Sequence, residues 1–564
     1  MVGGVWARRR LEWVTAGLAA VLGVAYLLLP RMGSDLSAQF ARAGFFAEHG
    51  YTPIDLRWYG GVDQLGYSLV SQPVMAVLGA RVTGAVALVL TAVAFAVLLR
   101  RTGAPRPWWG ALLGTVGIAG NLVSGRVTYG LGVLFGVLAL LALTHRRACW
   151  AAVPAALLAS ATSPVAGLFL GLAGVALLVS RKRAGLLLAV PAAIPLALTA
   201  GLFGDGGWMN IGRTDALRAI VTSLLVALLV PLRPVRAAGL LSAAGVLAAA
   251  LVHTPVGLNA TRLVTMFALP VLAGYAALPR RIGRSADAAT GSNADAATRT
   301  SADAVTRSNV NAAARTSAGA AADAGGPVAP SGSARIPIWL LVPVLVAVCW
   351  WQPPVVIADV RDIGNPTANP AYFQPLRDQL ARMPLTGRVE IPPTRAYWEA
   401  AYLGDVPLAR GWLRQADIDR NPLFFTDVPG APGTGVPLTS ATYREWLAGK
   451  SVQYVAVPDA ELSWVGRAEA ELVAAGQPYL TEVWSDPDWR LYAVADPEPI
   501  VAPPAMLVSQ TAASLTFVAP TAGDFTIRVR HYRWLTATGR AKVEASGDWT
   551  LVRVPAPGRY TLTS

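Results

Sequence analysis

One acidic side chain stands where membrane chemistry would need it. Ser34-Asp35 follows directly on an apolar run at 11–30, and the polar segment 31–73 continues with Glu48, His49, Asp55 and Asp63. These alternate with Phe45, Phe46, Tyr51, Trp58, Tyr59 and Tyr67. A carboxylate at the end of a membrane helix is costly against lipid, so it faces water or a protein cavity. There Asp35 would act as a general base on an acceptor hydroxyl, alone or assisted by a metal. The competing role is a helix cap, since Asp and Ser lead the N-cap ranking and 36–47 reads as an amphipathic helix suited to lying in the interface. The two roles are compatible. His49, Asp55, Asp63, Trp58 and Tyr59 would add hydrogen bonds and stacking for a polar substrate.

Two arginines are the natural counterparts. Arg126 and Arg262 each stand at the end of an apolar run on the side poor in other cations. A guanidinium donates two hydrogen bonds in one plane, which suits a phosphate or diphosphate. The competing role is an interfacial arginine reaching lipid headgroups. The segment GDGGWMNIGRTDALR adds Asp205, Trp208 and Asp215; Trp208 would stack on a sugar, and Thr214-Asp215 would cap the next helix. The charged and aromatic segment 410–422 would bind a glycan acceptor or pack against the apolar region. Histidines 49, 145, 253 and 531 lack ligand spacing, and Cys149 and Cys349 build neither a disulfide framework nor a metal cluster. No P-loop, G-x-S-x-G elbow or placed G-x-G-x-x-G occurs.

The elements that must position these residues are membrane helices. The 564 residues are 54% hydrophobic and only 14% charged, with mean hydropathy +0.46, against about a quarter charged in soluble domains. Apolar runs fall near 11–30, 74–99, 107–123, 128–144, 150–163, 165–180, 185–203, 216–232, 237–252, 263–279 and 336–352, giving about eleven spans. The pair around Ser163-Pro164 reads equally as one broken helix. Connections alternate between short basic ones and ones with few clustered cations. The positive-inside rule places the basic set, and the N-terminus, in the cytoplasm. It also accounts for the +14 charge and sets nucleic acid aside as a partner.

The chain divides accordingly into a transmembrane region at 1–281, a disordered cytoplasmic linker at 282–335 and a last transmembrane helix at 336–352. The linker's Ala/Ser/Thr/Asp repeats bury too little surface to order. An extracytoplasmic α/β region follows at 353–500. In it VQYVAV is a buried strand, and 480–484 pairs with 490–494 as a hairpin. A small β-sandwich is expected at 501–564, from short alternating strands at near-regular spacing.

Ser34-Asp35-Leu36 resembles the GT-C superfamily of integral-membrane glycosyltransferases. There an acidic residue follows the first transmembrane helix and precedes a helix lying along the membrane. The segments YTPIDLRWYGG, QLGYSLVSQP, NLVSGRVTYGLGVLFG, LNATRL, ARGWLRQADIDRNPLFF and YREWLAGKSVQYVAVPDAEL resemble a family of actinobacterial integral membrane proteins that brings no activity of its own. The superfamily resemblance implies a polyprenyl-phosphate-linked sugar as donor, a cell-envelope glycan or glycolipid as acceptor and membrane lipids as surroundings. It makes Asp35 the base and gives the donor phosphate to Arg126 or Arg262. Many such enzymes carry two adjacent acids. Here the second would be Asp55 or Asp63, which leaves a divalent metal ion open as a cofactor. The competing functions are a transporter or flippase of lipid-linked glycans and a non-catalytic envelope assembly protein.

Overall fold

The computed structural model describes residues 9–204, 206–277 and 336–564. The linker expected at 282–335 and Asp205 lie outside the described residues. Helix α1 (Arg10–Leu28) enters the bundle, and α2 (Leu36–His49) follows Asp35. The span expected at 74–99 is two helices, α3 (Ser71–Leu78) and α4 (Ala80–Arg101), meeting at Gly79, whose φ of 81° favours a residue without Cβ. Then come α5 (Pro107–Val123), α6 (Val127–Leu143), α7 (Ala152–Thr162), α8 (Pro164–Val179), α9 (Leu186–Leu202), α10 (Arg213–Leu229), α11 (Arg233–Leu251), α12 (Arg262–Tyr275) and α13 (Ile338–Trp351). Among the described residues, five helical segments are long and apolar enough to cross a membrane: Arg10–Leu28, Ala80–Arg101, Arg183–Leu202, Arg233–Leu251 and Gly257–Tyr275.

Ser163-Pro164 is a reversal. Pro164 ends α7 because its ring excludes helical backbone before it, and the Ser163 hydroxyl caps α8 by accepting from the Ala166 amide. A Cβ at Gly167 would lie 2.3 Å from the Ser160 hydroxyl. Residues seven apart touch only when the chain folds back, since a continuous helix separates them by about 10 Å.

The helices alternate in direction, so their connections gather at two ends. At one end Arg100 pairs with Glu12 at 2.6 Å, Arg106 donates to the Ala276 carbonyl and Arg101 to the Thr144 hydroxyl. This end holds the basic connections. At the other, the head end, Leu69 bonds Ala161 and Met209 bonds Thr254, and Phe203 stacks on Trp534. Every connection with few clustered cations opens here, together with the region after α13.

That region begins with a mixed four-stranded sheet in the order β3-β4-β6-β5. Its strands are β3 (Arg388–Glu390), β4 (Val452–Pro458), β5 (Leu480–Ser485) and β6 (Trp489–Val494). The pair β3–β4 is parallel and the other pairs are antiparallel. Helices α14 (Gln374–Ala381), α15 (Ser440–Gly449) and α16 (Trp464–Ala474) pack around it. The chain then forms two antiparallel sheets. One is β7 (Met506–Gln510), β8 (Ser514–Ala519), β10 (Thr536–Ala537) and β13 (Gly558–Thr563); the other is β9 (Gly523–Ile527), β11 (Lys542–Ser546) and β12 (Trp549–Val554). Alternate side chains Leu515, Phe517, Phe525, Ile527, Val552, Val554, Tyr560 and Leu562 close one core between the sheets.

The segment 31–73 is the structural hub. Its strands β1 (Ile54–Asp55) and β2 (Val62–Asp63) pair as a two-residue ribbon. Ile54 and Leu56 enter the core between the two β-sheets, while Trp58, Tyr59 and Val62 enter the core under the mixed sheet. Its backbone also bonds outward: Leu56 to Ala512, Leu408 to Arg57, and Arg530 to Gly60.

Candidate functional site

Asp35 is placed by backbone contact between two loops. Gly33 has φ of 105°, and a Cβ there would lie 2.3 Å from the Val123 carbonyl; Gly125 has φ of 75°, and a Cβ there would lie 2.5 Å from the Leu36 amide. Both glycines are therefore needed for 33–36 to lie against the α5–α6 turn. The Asp35 amide bonds the Ser124 carbonyl at 3.1 Å. Two further carboxylates lock the arrangement: Asp359 accepts from the Ser34 amide at 3.1 Å and the Ser124 hydroxyl at 2.5 Å, and Asp362 accepts from the Gly33 amide at 3.1 Å.

The Asp35 side chain then meets both arginines. One carboxylate oxygen, Oδ2, accepts from Arg126 Nε at 3.2 Å and from Arg262 Nη2 at 3.1 Å. Asp35 occupies the N-cap position of α2 but makes no side-chain cap bond; its carboxylate serves the guanidiniums instead. The three side chains are only 15%, 23% and 18% exposed. Charge repulsion between the arginines is offset once, leaving positive charge in excess. Arg262 also lies over the Tyr129 ring at 5.6 Å. Arg126 is held through its own backbone, which exchanges hydrogen bonds with Asn121.

Aromatic groups bound this cluster. Trp412, half-buried, donates its indole N–H to the Ser34 carbonyl at 3.1 Å and meets Tyr67 edge-on at 6.1 Å. The Tyr67 hydroxyl accepts from Gln39 at 3.0 Å. The cavity beside Arg126 holds only about 10 Å³, lined by Gly84, Asn121 and Gly130 among others. That is room for at most one water, so the arginines are open only on their partly exposed side.

The structure brings Asp35, Arg126 and Arg262 together and puts the other candidates elsewhere. Asp55 is fully buried and forms a two-pronged pair with Arg57, its Oδ2 at 2.7 Å from both Arg57 Nη2 and Gln64 Nε2. Asp63 is 3% exposed and accepts from the Leu65 and Gly66 amides in a turn. Trp58 is fully buried in the core under the mixed sheet. Tyr59 bonds the Gly411 carbonyl at 2.5 Å, and burial pushes its phenol well above the usual range. His49 ends α2 against Phe45, 3.8 Å from Glu48. Among the described residues Asp35 contacts none of these five. Three further segments are placed, and one expectation, the cap at Thr214-Asp215, is corrected. Asp215 lies in the first turn of α10, whose N-cap is Gly212. Trp208 stacks on His253 at 4.0 Å. In 410–422 Arg410, Asp417 and Asn421 are buried, while Trp412 and Gln415 pack on the head end through the Ser34 and Pro255 carbonyls, the second of the two roles expected for this segment.

Sequence reasoning missed Asp359 and Asp362, and held Trp412 only as one member of the segment 410–422. An acidic pair just after the last apolar run repeats the position of Ser34-Asp35 after the first, and that signal was readable.

No family model matches the chain, and no curated protein does. Among solved structures the chain is similar to the mycobacterial arabinofuranosyltransferase AftD. The match has 16% identity and a TM-score of 0.43, and covers 87% of this chain and 40% of that one. A mutant form of the same protein matches at 15% identity and a TM-score of 0.38, covering 91% and 43%. The chain thus spans less than half the length of the solved protein it matches.

A divalent ion does not suit the donor set. Asp35 is the one carboxylate in its cluster, and two guanidiniums on the same oxygen repel a cation. Asp359 and Asp362 spend their oxygens on amides and a hydroxyl. No group of three or more His, Cys, Asp or Glu side chains gathers among the described residues.

Proposed function

We propose that this chain is a membrane glycosyltransferase that moves a sugar from a polyprenyl-phosphate donor to a cell-envelope glycan or glycolipid. The observation that carries the reading is the single Asp35 carboxylate shared by Arg126 and Arg262 at the end of the helix bundle. A prenyl-phospho-sugar is a phosphodiester with one negative charge, matching the positive charge left over in the cluster. As the glycosidic bond breaks, the leaving phosphate gains a second negative charge. Two preorganised guanidiniums favour that charge more than the ground state, which is the requirement for catalysis. Donor binding draws guanidinium hydrogen bonds away from Asp35 and frees a carboxylate oxygen. That oxygen then takes the proton from the acceptor hydroxyl attacking the anomeric carbon. Trp412 and Tyr67 supply apolar ring faces beside the phosphate grip for sugar stacking.

The same reading extends to topology. About eleven helices cross the membrane, the basic connections face the cytoplasm, and the head end with everything after α13 faces outward. The membrane region ends near 281, a cytoplasmic linker covers 282–335, and two extracytoplasmic units divide near 500.

The test incubates the purified chain with labelled polyprenyl-phospho-sugars and envelope acceptors. Transfer by the wild type that is lost in Asp35→Ala and Arg262→Ala supports the reading. Transfer unchanged in Asp35→Ala removes that residue from the mechanism, and labelled lipid crossing a vesicle bilayer without transfer favours transport.

A further inference from the structure

Three cations converge on one indole ring at the seam between the mixed sheet and the β-sandwich. Arg388 lies 5.6 Å from the Trp549 ring centroid, and Lys450 and Arg530 each lie 5.7 Å from it. They come from three different elements: strand β3, the turn before β4, and the segment after β9. Like charges this close repel unless an anion sits among them.

The counter-charge provided by the protein is thin. Arg388 is 1% exposed and has no carboxylate partner among the described residues. Its Nη atoms donate to the Lys450 and Arg528 carbonyls, and its Nε is buried without a hydrogen-bond partner. Lys450 is half-buried, and its ammonium makes no hydrogen bond or ion pair among the described residues. Arg530 reaches Asp548 at 3.6 Å, but that carboxylate is 64% exposed, and beyond it Arg530 feels Arg420 of the same sign more strongly than Asp419. Arg528, alongside, is neutralised by Glu498 at 2.9 Å. Gly60 closes one side: a Cβ there would lie 3.0 Å from Arg388 and 3.1 Å from Trp549. Arg388 is interior, while Lys450, Arg530 and Trp549 are half-buried.

We propose that Arg388, Lys450 and Arg530 around Trp549 form a binding site for a phosphoryl group, separate from the Asp35 cluster. A phosphoryl group offers several oxygens to guanidinium and ammonium donors gathered in one place, more than a carboxylate does. The crowding also weighs on the charges themselves: burial together with neighbouring Arg530 and Arg388 lowers the Lys450 ammonium to about 8, and burial together with Arg530 and Arg528 lowers Arg388 to about 9. A bound anion reverses both trends. The phosphoryl group belongs either to a soluble phosphate or to a lipid headgroup or glycan presented at this seam.

The experiment follows thermal unfolding of the full chain in neutral-lipid nanodiscs, titrated with inorganic phosphate against chloride at matched ionic strength. A parallel arm replaces part of the neutral lipid with phosphatidylglycerol and adds no phosphate. Variants are Lys450→Gln/Arg530→Gln, Asp548→Asn and, as a control for the other cluster, Arg262→Ala. The proposal expects phosphate to raise the melting temperature where chloride does not. Apparent affinity should fall about tenfold or more in the double variant, rise several-fold in Asp548→Asn and persist in Arg262→Ala. Stabilisation by phosphatidylglycerol that the double variant loses assigns the group to a headgroup; stabilisation by phosphate alone assigns it to a soluble source. Stabilisation that survives in the double variant, or none in either arm with the wild type, overturns the site.

Discussion

Two arginine–carboxylate clusters in this molecule have opposite composition and opposite surroundings. At the head end one carboxylate, Asp35, serves two guanidiniums, and all three side chains keep some exposure. In the α/β region one guanidinium, Arg410, serves two carboxylates, Glu390 at 2.8 Å and Glu469, and none is more than 2% exposed. Tyr443 donates to Glu469 at 2.9 Å, and Arg410 lies 3.7 Å from the Phe424 ring centroid. Burial pushes the Glu390 and Glu469 carboxyls upward. Burial also opposes the Arg410 charge, but Glu390, Glu469 and Asp417 outweigh it and hold that charge firmly. The second cluster is closed and has no access for a ligand. The first carries surplus charge and is reachable. Among pairs of similar chemistry, burial and stoichiometry separate a structural device from a site.

That contrast is sharpest under substitution. Asp35→Ala should lower sugar transfer by about 10²–10⁴-fold with a smaller drop in stability than Arg410→Ala causes, because Arg126 and Arg262 keep part of their exposure to water. Steady-state transfer and thermal unfolding measured on the same preparation check both halves. Arg410→Ala should do the reverse. It strands two buried carboxyls and should cost about 3–5 kcal/mol of stability, read by denaturant unfolding. A variant in which either substitution moves both quantities equally would erase the distinction.

Glu399 sharpens the comparison through pH. It is buried beside Thr394, whose hydroxyl donates to it at 2.5 Å, and burial raises its carboxyl to about 7 from 4.5. The fold therefore prefers the protonated form. Its contribution is full below pH 4.5 and is lost as pH rises to about 7, by roughly 3 kcal/mol in total. Glu399→Gln should remove that slope, so the difference between the wild-type and variant stability curves across this window measures it. Asp35→Asn should leave the slope in place. The smallest expected effect is local: Gly125→Ala places a Cβ against Leu36 backbone at positive φ, straining the loop by about 1–3 kcal/mol. Transfer should weaken more than global stability does, which activity and melting of the variant together report.

Much of the architecture was legible in residues taken one segment at a time. Apolar length announced the helices, Ser163-Pro164 announced a break, and two-residue alternation announced the strands from Ser514 to Thr563. Each of these signals is local, set by side-chain period and backbone restriction. Asp35, Arg126 and Arg262 were also visible, as charges out of place at the ends of apolar runs. Their convergence was not, because it depends on Gly33 and Gly125 letting two distant loops touch and on Asp359 and Asp362 tying those loops to the chain after α13. The same holds for the remainder of 31–73. Its acids and aromatics have the composition of a binding loop, yet Trp58 and Tyr59 are buried in a core built by a sheet more than 300 residues away in sequence, and Asp55 is spent on Arg57 and Gln64. Sequence fixes which groups carry charge and which segments are apolar; which charges keep contact with water is decided only when distant segments close over the rest.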